Sequence, residues 1–529
     1  MSEGHRADGV HDKSLCLAAA LPSGRSLIFE MRCSRMQKTP LGVSSHPARF
    51  ARGHAPTTEK PFPFSSRSAI AARVSHATFT ARSVLAMLAP VARISFPLAL
   101  FQLGGVVMNL TDTAMVGRLG AASLSAVAVG NGIYFTIFAV GMGAVMGADP
   151  LVAQAVGAGD FSLARATRDA ARRVALKASL PIVVVLALAM FALPFASLAR
   201  DVVEITWAYV VGRALGIPLE LLYTAERAYL QGHGRTRAIT IAVVTASLLN
   251  VPLDALFIFG GDAFVVIGLP AFPFPALGAF GAGIATSFCL LVQLLIVTRA
   301  AKALARESDD GGLVVESQKL VRIGVPIGLQ YALEIGIFTL VSILMGAIGT
   351  LALAAHQIAI TLSSASFRVA LGVSTGASVV VGQRIGARDH GGALAAGTAG
   401  FIIGTAVMAT AGCFFIFIPA VLARAFTDDE TIIARAVPLL FISAAFQLSD
   451  GIQAVAGGVL RGAGDTRFTF ISNAVAYWLI ALPCSLVLGF VVDLGPEGLW
   501  WGLTIGLTVA AVAQAVRFYM RASRGYESL

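Results

Sequence analysis

The chain has 529 residues, 57% of them apolar and only 13% charged, with 54 glycines. A soluble protein of this length needs far more charge to cover its surface, whereas Gly and Pro are better tolerated in membrane helices than in soluble ones. The net charge of +10 does not indicate nucleic-acid binding: residues 1–87 carry 12 Lys and Arg against 5 Asp and Glu, leaving +3 for the other 442 residues.

Residues 1–87, rich in Ser, Arg, Ala and His, are expected to form a disordered basic cytoplasmic extension. Beyond them, apolar stretches long enough to cross a bilayer recur to the end of the chain. Twelve spans are read, at 88–116, 123–148, 171–198, 203–228, 238–260, 276–298, 322–348, 352–380, 392–423, 431–458, 468–492 and 498–520. Their connections alternate in charge. One set is basic, with Arg165, Arg168, Arg172, Arg173 and Lys177, then Arg235 and Arg237, Arg299 to Lys319, Arg384 and Arg388, Arg461 and Arg467, and Arg517 to Arg524. The other is poor in positive charge and includes Asp428-Asp429-Glu430. The positive-inside rule then predicts an inner-membrane protein with both termini cytoplasmic. The expected organisation is a six-helix lobe over 88–298, a cytoplasmic linker over 299–321, a second six-helix lobe over 322–520 and a tail over 521–529. The five cysteines are scattered without C-x-x-C spacing, so neither a disulfide framework nor a metal cluster is expected.

An internal repeat carries the architecture. A shift of 229 residues aligns 94–160 with 323–389 without a gap, laying Val152-Ala-Gln-Ala-Val-Gly-Ala-Gly-Asp160 on Val381-Gly-Gln-Arg-Ile-Gly-Ala-Arg-Asp389. A shift of 230 lays Leu230-Gln-Gly-His-Gly-Arg-Thr-Arg237 on Leu460-Arg-Gly-Ala-Gly-Asp-Thr-Arg467. Apolar helices match by chance at scattered Gly and Ala, but not in register through polar loops. Six spans per repeat is an even number, so both halves enter from the same side. The predicted fold is an all-α membrane protein of twelve helices in two lobes related by a pseudo-two-fold axis along the membrane normal.

Carboxylates inside such a bundle cost roughly 2.5–3.5 kcal/mol each on insertion scales and need a partner or a purpose. In the first lobe these are Asp112 in span 1 and Asp254 in span 5, the latter sharing a helix face with Asn250 at i−4. Asp112, Asn250 and Asp254 can together hold Na⁺ or share a proton. Glu220, after Pro218 in span 4, can face a cavity or not; Glu226 and Arg227 approach the cytoplasmic end, where they can either snorkel or serve the site. In the second lobe, Glu334 follows Gln330 by one turn, and Asp450 lies between Gln447 and Gln453 at i−3 and i+3, all three expected on one side. Arg368 can pair with Glu334 or Asp450, which would lower the negative charge there, and the sequence leaves open whether it does. Tyr134, Phe135, Phe138, Tyr223, Phe367 and Phe446 can form an aromatic wall for flat cations but are individually expected in packing, and Gly143/Gly147 and Gly372/Gly376 are expected in close helix packing.

Asn109-Leu-Thr-Asp112-Thr-Ala-Met-Val-Gly-Arg-Leu-Gly120, Leu151-Val-Ala-Gln-Ala-Val-Gly157, Ala354-Ala-His-Gln-Ile-Ala359 and Asp450-Gly-Ile-Gln with Leu460-Arg-Gly-Ala-Gly-Asp465-Thr resemble the MATE (multidrug and toxic compound extrusion) family over roughly residues 88–520. The resemblance implies two lobes around a central cavity, with H⁺ or Na⁺ entering as a drug leaves. It also implies that Asp112, Asn250 and Asp254 match the cation site of MATE first lobes, with Thr286 in the place of that site's threonine. Glu334 and Asp450 match acids that bind cations or cationic drugs in one branch of the family. Arg368 stands where an apolar residue is usual. The function expected is antiport of small organic cations by a monomer in the lipid bilayer, with no nucleic-acid partner and no cofactor beyond the coupling ion. The alternatives are a lipid or lipid-linked oligosaccharide flippase of the related fold, and a receptor or scaffold working through its basic tail. No enzyme is expected, since the sequence has neither an H-E-x-x-H motif nor a nucleophile–base pair on adjacent turns.

Overall fold

In hydrocarbon every backbone N–H and C=O must find its partner inside the chain, so apolar segments of this length form helices. The computed structural model describes residues 80–195, 198–261, 273–306, 313–526 and 529, and they form a helical bundle. Most of the expected extension, and parts of the inter-lobe linker and of the insert after span 5, lie outside the described residues.

The first lobe comprises α1 (Ala81–Gly117), α2 (Ala121–Met146), α3 (Ala148–Gly157), α4 (Phe161–Ala192), α5 (Arg200–Ala214), α6 (Ile217–Gly232), α7 (Arg237–Phe259) and α8 (Gly278–Arg306). The second comprises α9 (Ser317–Ile348), α10 (Thr350–Gly386), α11 (His390–Phe417), α12 (Pro419–Arg424), α13 (Glu430–Gly462), α14 (Thr466–Ala474), α15 (Leu482–Leu486) and α16 (Gly495–Arg524). Among the described residues eleven helical stretches are long and apolar enough to cross a membrane, and the bent pair α5–α6 makes a twelfth. Several are longer than their apolar cores. α1 begins at Ala81, where Thr80 and Ser83 exchange side-chain-to-amide hydrogen bonds of 3.2 Å, so the expected boundary at 87 falls inside a helix. Span 4 is broken by 41° between α5 and α6. Pro218 in the first turn of α6 lacks the N–H that would continue the helix.

The repeat is visible in the backbone. α2 and α3 together cover 121–157 and α10 covers 350–386, the same 229-residue offset, with the first copy interrupted at Gly147. The two copies end alike. Asp160 and Asp389 each cap the next helix by accepting an amide at 2.8 Å, from Leu163 and Gly392. The residue before each cap is left-handed, Gly159 at φ 75° and Arg388 at φ 58°.

The lobes meet through matching helix crossings. A Cβ on Gly143 of α2 would lie 2.2 Å from the backbone of Gly328 on α9, and one on Gly147 would lie 2.1 Å from the Leu320 carbonyl. At the pseudo-symmetric crossing, a Cβ on Gly372 of α10 would lie 2.4 Å from the backbone of Ala99 on α1, and one on Gly376 would meet Ser95 at 2.2 Å. These glycine pairs pack helices closely, and they do so between lobes.

Two arginines read as loop charges are buried inside the bundle. Arg168 of α4 donates to both carboxylate oxygens of Glu226 on α6, at 2.6 and 2.9 Å. Glu226 is therefore 1% exposed and does not snorkel. Arg461 of α13, 5% exposed, donates to the Tyr331 hydroxyl at 3.3 Å. Arg227 is buried as well, its guanidinium 5.3 Å from the Phe101 ring centroid. A count of loop charges cannot separate such residues from solvated ones, because a helix extended past its apolar core carries them into the protein.

Candidate functional site

Four first-lobe residues expected to form a cation site are brought together by α1, α7 and α8. Asn250 and Asp254 share the inward face of α7 and are fully buried; Asp112 of α1 is 8% exposed. Asn250 donates its side-chain amide to Asp112 Oδ1 at 2.9 Å. The Thr286 hydroxyl on α8 lies 3.0 Å from Asp112 Oδ2 and also 3.0 Å from the Ala282 carbonyl, so its single proton serves one of the two. Asp254 lies against Asp112 and Asn250. Neither of its carboxylate oxygens receives a donor, and Asn250 Oδ1 has no partner either.

That asymmetry has a chemical meaning. Buried oxygens without donors carry a desolvation cost that a cation, a proton or an ordered water relieves. Two adjacent ionised carboxylates repel by about 4 kcal/mol even at an effective dielectric of 20. The donor set, two carboxylates and an amide oxygen, suits a hard monovalent cation such as Na⁺, and equally a proton shared by the two acids.

In the second lobe Gln330, Tyr331 and Glu334 of α9, Phe367 and Leu371 of α10, and Gln453 and Arg461 of α13 line a common pocket. Asp450 is 5% exposed. Gln447 and Gln453 do not project to one side with it: Gln447 donates to Ser366 on α10, and Gln453 to Asn473 on α14 at 3.3 Å. Six residues of separation turn an α-helix by about 600°, which leaves the two side chains some 120° apart. Arg368 is exposed and makes no ion pair within 4 Å with Glu334 or Asp450. Glu220 accepts from the Tyr134 hydroxyl at 3.0 Å and lies 3.8 Å from Arg213. Of the aromatic residues expected in packing, Tyr134, Phe138, Tyr223 and Phe446 are buried, whereas Phe135 is 38% exposed and Phe367 lines the pocket with Glu334.

The MatE family profile matches residues 97–256 and again 326–487, the second match starting 229 residues after the first. The chain belongs to the MatE family. Curated relatives include a protein named probable multidrug resistance protein NorM of Bradyrhizobium diazoefficiens, 34% identical over 446 residues and covering 82% of this chain and 93% of that one. The protein of that name in Deinococcus radiodurans is 34% identical over 453 residues, covering 84% and 97%. The crystal structure of the Vibrio cholerae MATE transporter VcmN in the bent form superposes with a TM-score of 0.73 at 19% identity, covering 84% of this chain and 98% of that one.

Sequence reasoning missed three groups in this MatE chain. Arg213 of α5, 6% exposed, places its guanidinium 4.5 Å from the Tyr134 ring centroid, next to Glu220. Tyr209, one turn earlier, donates to Asn131 Oδ1 at 3.3 Å. Asp149, 6% exposed, accepts from Gln231 at 3.3 Å and interacts with Arg227 and, across the lobes, with Arg461. The signal for Arg213 was present as an arginine well inside a span, spaced i−4 from Tyr209 and i+7 from Glu220.

Proposed function

We propose that the chain exports small organic cations from the cell in exchange for inward-moving H⁺ or Na⁺, acting as a monomer in the bacterial inner membrane with both termini in the cytoplasm. The observation that carries this reading is the pair of buried acids, Asp112 with side-chain partners within 3.0 Å at both oxygens and Asp254 with none. In the scheme it supports, Asp112 and Asp254 take up a proton or Na⁺ when the cavity faces outward. The added charge weakens the hold on a cationic drug, which leaves. When the cavity faces inward, loss of the ion restores the negative charge that attracts the next drug.

The close cross-lobe approaches described above lie in the half of the bundle nearer the basic loops, at Gly143, Gly147, Gly372 and Gly376. With those loops cytoplasmic, as the positive-inside rule supports, this arrangement is closed on the inside. The names of the NorM relatives support a drug as the cargo, and the pocket around Glu334, lined also by Gln330, Gln453 and Arg461, with Asp450 and Arg368 within electrostatic reach of Glu334, supports a second place for a cation.

The test is transport by the purified protein in proteoliposomes, with a proton gradient and a sodium gradient imposed separately. One of the two should drive uptake of a fluorescent organic cation against its gradient, and Asp112→Asn should abolish it. A chain driven by neither gradient is not this antiporter.

A further inference from the structure

Glu220 of α6 has a phenol hydroxyl and a guanidinium as its partners. Its carboxylate is 19% exposed, accepts from Tyr134 at 3.0 Å and sits 3.8 Å from Arg213 Nη1. Arg213 in turn lies over the Tyr134 ring at 4.5 Å and within electrostatic reach of Asp112. Arg213 is held from behind. A Cβ on Gly283 of α8 would come within 2.7 Å of the Arg213 backbone nitrogen, and the Gly212 carbonyl accepts from Ser287 at 2.9 Å. The helix that fixes the arginine therefore also carries Thr286, which reaches Asp112. The pair spans the 41° break between α5 and α6.

A carboxylate beside an aromatic face is what a planar organic cation seeks for itself. Here a side chain of the protein fills that place. We propose that Arg213 is a tethered cation that sets the charge of the first-lobe cavity: by occupying Glu220 and the Tyr134 face, it confines cation recognition to Asp112 and Asp254 and restricts the cargo to a single positive charge. This specificity role rests on the exporter reading and deepens it. Glu220 and, farther off, Asp112 face the Arg213 guanidinium, with Asp254 lying behind Asp112. Removing the guanidinium uncovers a third uncompensated acid, and removing Glu220 leaves a cation that repels cargo.

The experiment measures equilibrium binding to the purified full-length protein of two probes matched in shape: 1-methyl-4-phenylpyridinium, with one charge, and 1,1′-dimethyl-4,4′-bipyridinium, with two. Wild type should favour the monocation. Arg213→Gln should shift the ratio of dissociation constants at least tenfold toward the dication, Arg213→Lys should keep the wild-type ratio, and Arg213→Gln with Glu220→Gln should restore it. Glu220→Gln alone should weaken both probes and the dication more. A merely structural ion pair would lower the yield of folded protein without moving the ratio. An unchanged ratio in folded Arg213→Gln, or a shift that survives the added Glu220→Gln, overturns the proposal. Should Arg213→Gln fail to fold, an unchanged ratio in Glu220→Gln overturns it instead. Wild type binding neither probe would sink the organic-cation reading together with this inference, whereas binding with an unmoved ratio sinks this inference alone.

Discussion

Gln154 and Gln383, equivalent residues of the two repeats, each donate a side-chain amide to a glycine carbonyl of the opposite lobe. Gln154 reaches Gly462 at 3.0 Å and Gln383 reaches Gly232 at 2.8 Å. The two helices cross at equivalent glycines, since a Cβ on Gly157 would lie 1.9 Å from the Gln383 carbonyl oxygen and one on Gly386 the same distance from that of Gln154. A duplicated motif thus binds its own copy, closing the lobes at the end that bears the basic loops. The backbone amide of Leu529 adds a bond to Gln154 Oε1 at 2.7 Å.

Rocking the lobes must break this clasp. Gln154→Ala and Gln383→Ala should each remove about 1 kcal/mol from the closed seam and so raise the opposite-facing population roughly fivefold. Spin-label distances between the lobes read that population. Effects of similar size in the two variants support a symmetric clasp.

The glycines beneath it tolerate no side chain. Gly157→Ala and Gly386→Ala should each destabilise the protein by about 1–3 kcal/mol through forced backbone displacement. Gly105→Ala, with nothing within 4 Å of the added methyl, should stay within about 0.5 kcal/mol of wild type. Unfolding in detergent compares the three.

Glu226 is bound by Arg168 in a buried pair between α4 and α6, with Arg172 at 3.6 Å. Glu226→Gln leaves a buried guanidinium without its counter-charge and should cost about 3–5 kcal/mol. Replacing the pair together, with Arg168→Met and Glu226→Leu, should cost less. Yield and thermal stability of the two variants check the order.

The Asp160 cap gives a pH dependence of known sign. The Ser162 hydroxyl at 2.7 Å, then the Leu163 amide at 2.8 Å, hold its carboxyl below the usual range. A depressed folded-state pKa means that its stabilisation is present above the unfolded value and is lost as pH falls through the folded one. Asp160→Ala should therefore cost about 1 kcal/mol at neutral pH and nothing in strong acid. Unfolding measured at both pH values tests this.

How much of this was legible in the sequence follows from where each signal lives. The repeat showed through polar loops because its turns need particular residues, a left-handed position before an aspartate cap, and Gly159 and Arg388 both supply it. Asp112, Asn250 and Asp254 were legible because polar groups inside apolar helices are conspicuous, whereas a threonine such as Thr286 stands out only through the resemblance to the MATE cation site. Arg213 was equally conspicuous as an intramembrane charge and was passed over. Its partner Glu220 lies beyond the bend of span 4, where helical spacing no longer tells which residues meet. Nor could the sequence reveal that Gln154 binds the other repeat, since a repeat fixes what each half contains and not which surfaces touch. Burial of Arg168 and Arg461 depended on helices running past their apolar cores, which hydropathy does not register.

The central claim is that drug and coupling ion compete for the Asp112–Asp254 pair, and equilibrium binding tests it without transport. In wild type the dissociation constant of 1-methyl-4-phenylpyridinium should rise as pH is lowered or as Na⁺ is added, with protons or Na⁺ released on binding. In Asp254→Asn that dependence should vanish while the protein stays folded. Full competition in Asp254→Asn, or a wild-type affinity indifferent to both ions, would contradict the account.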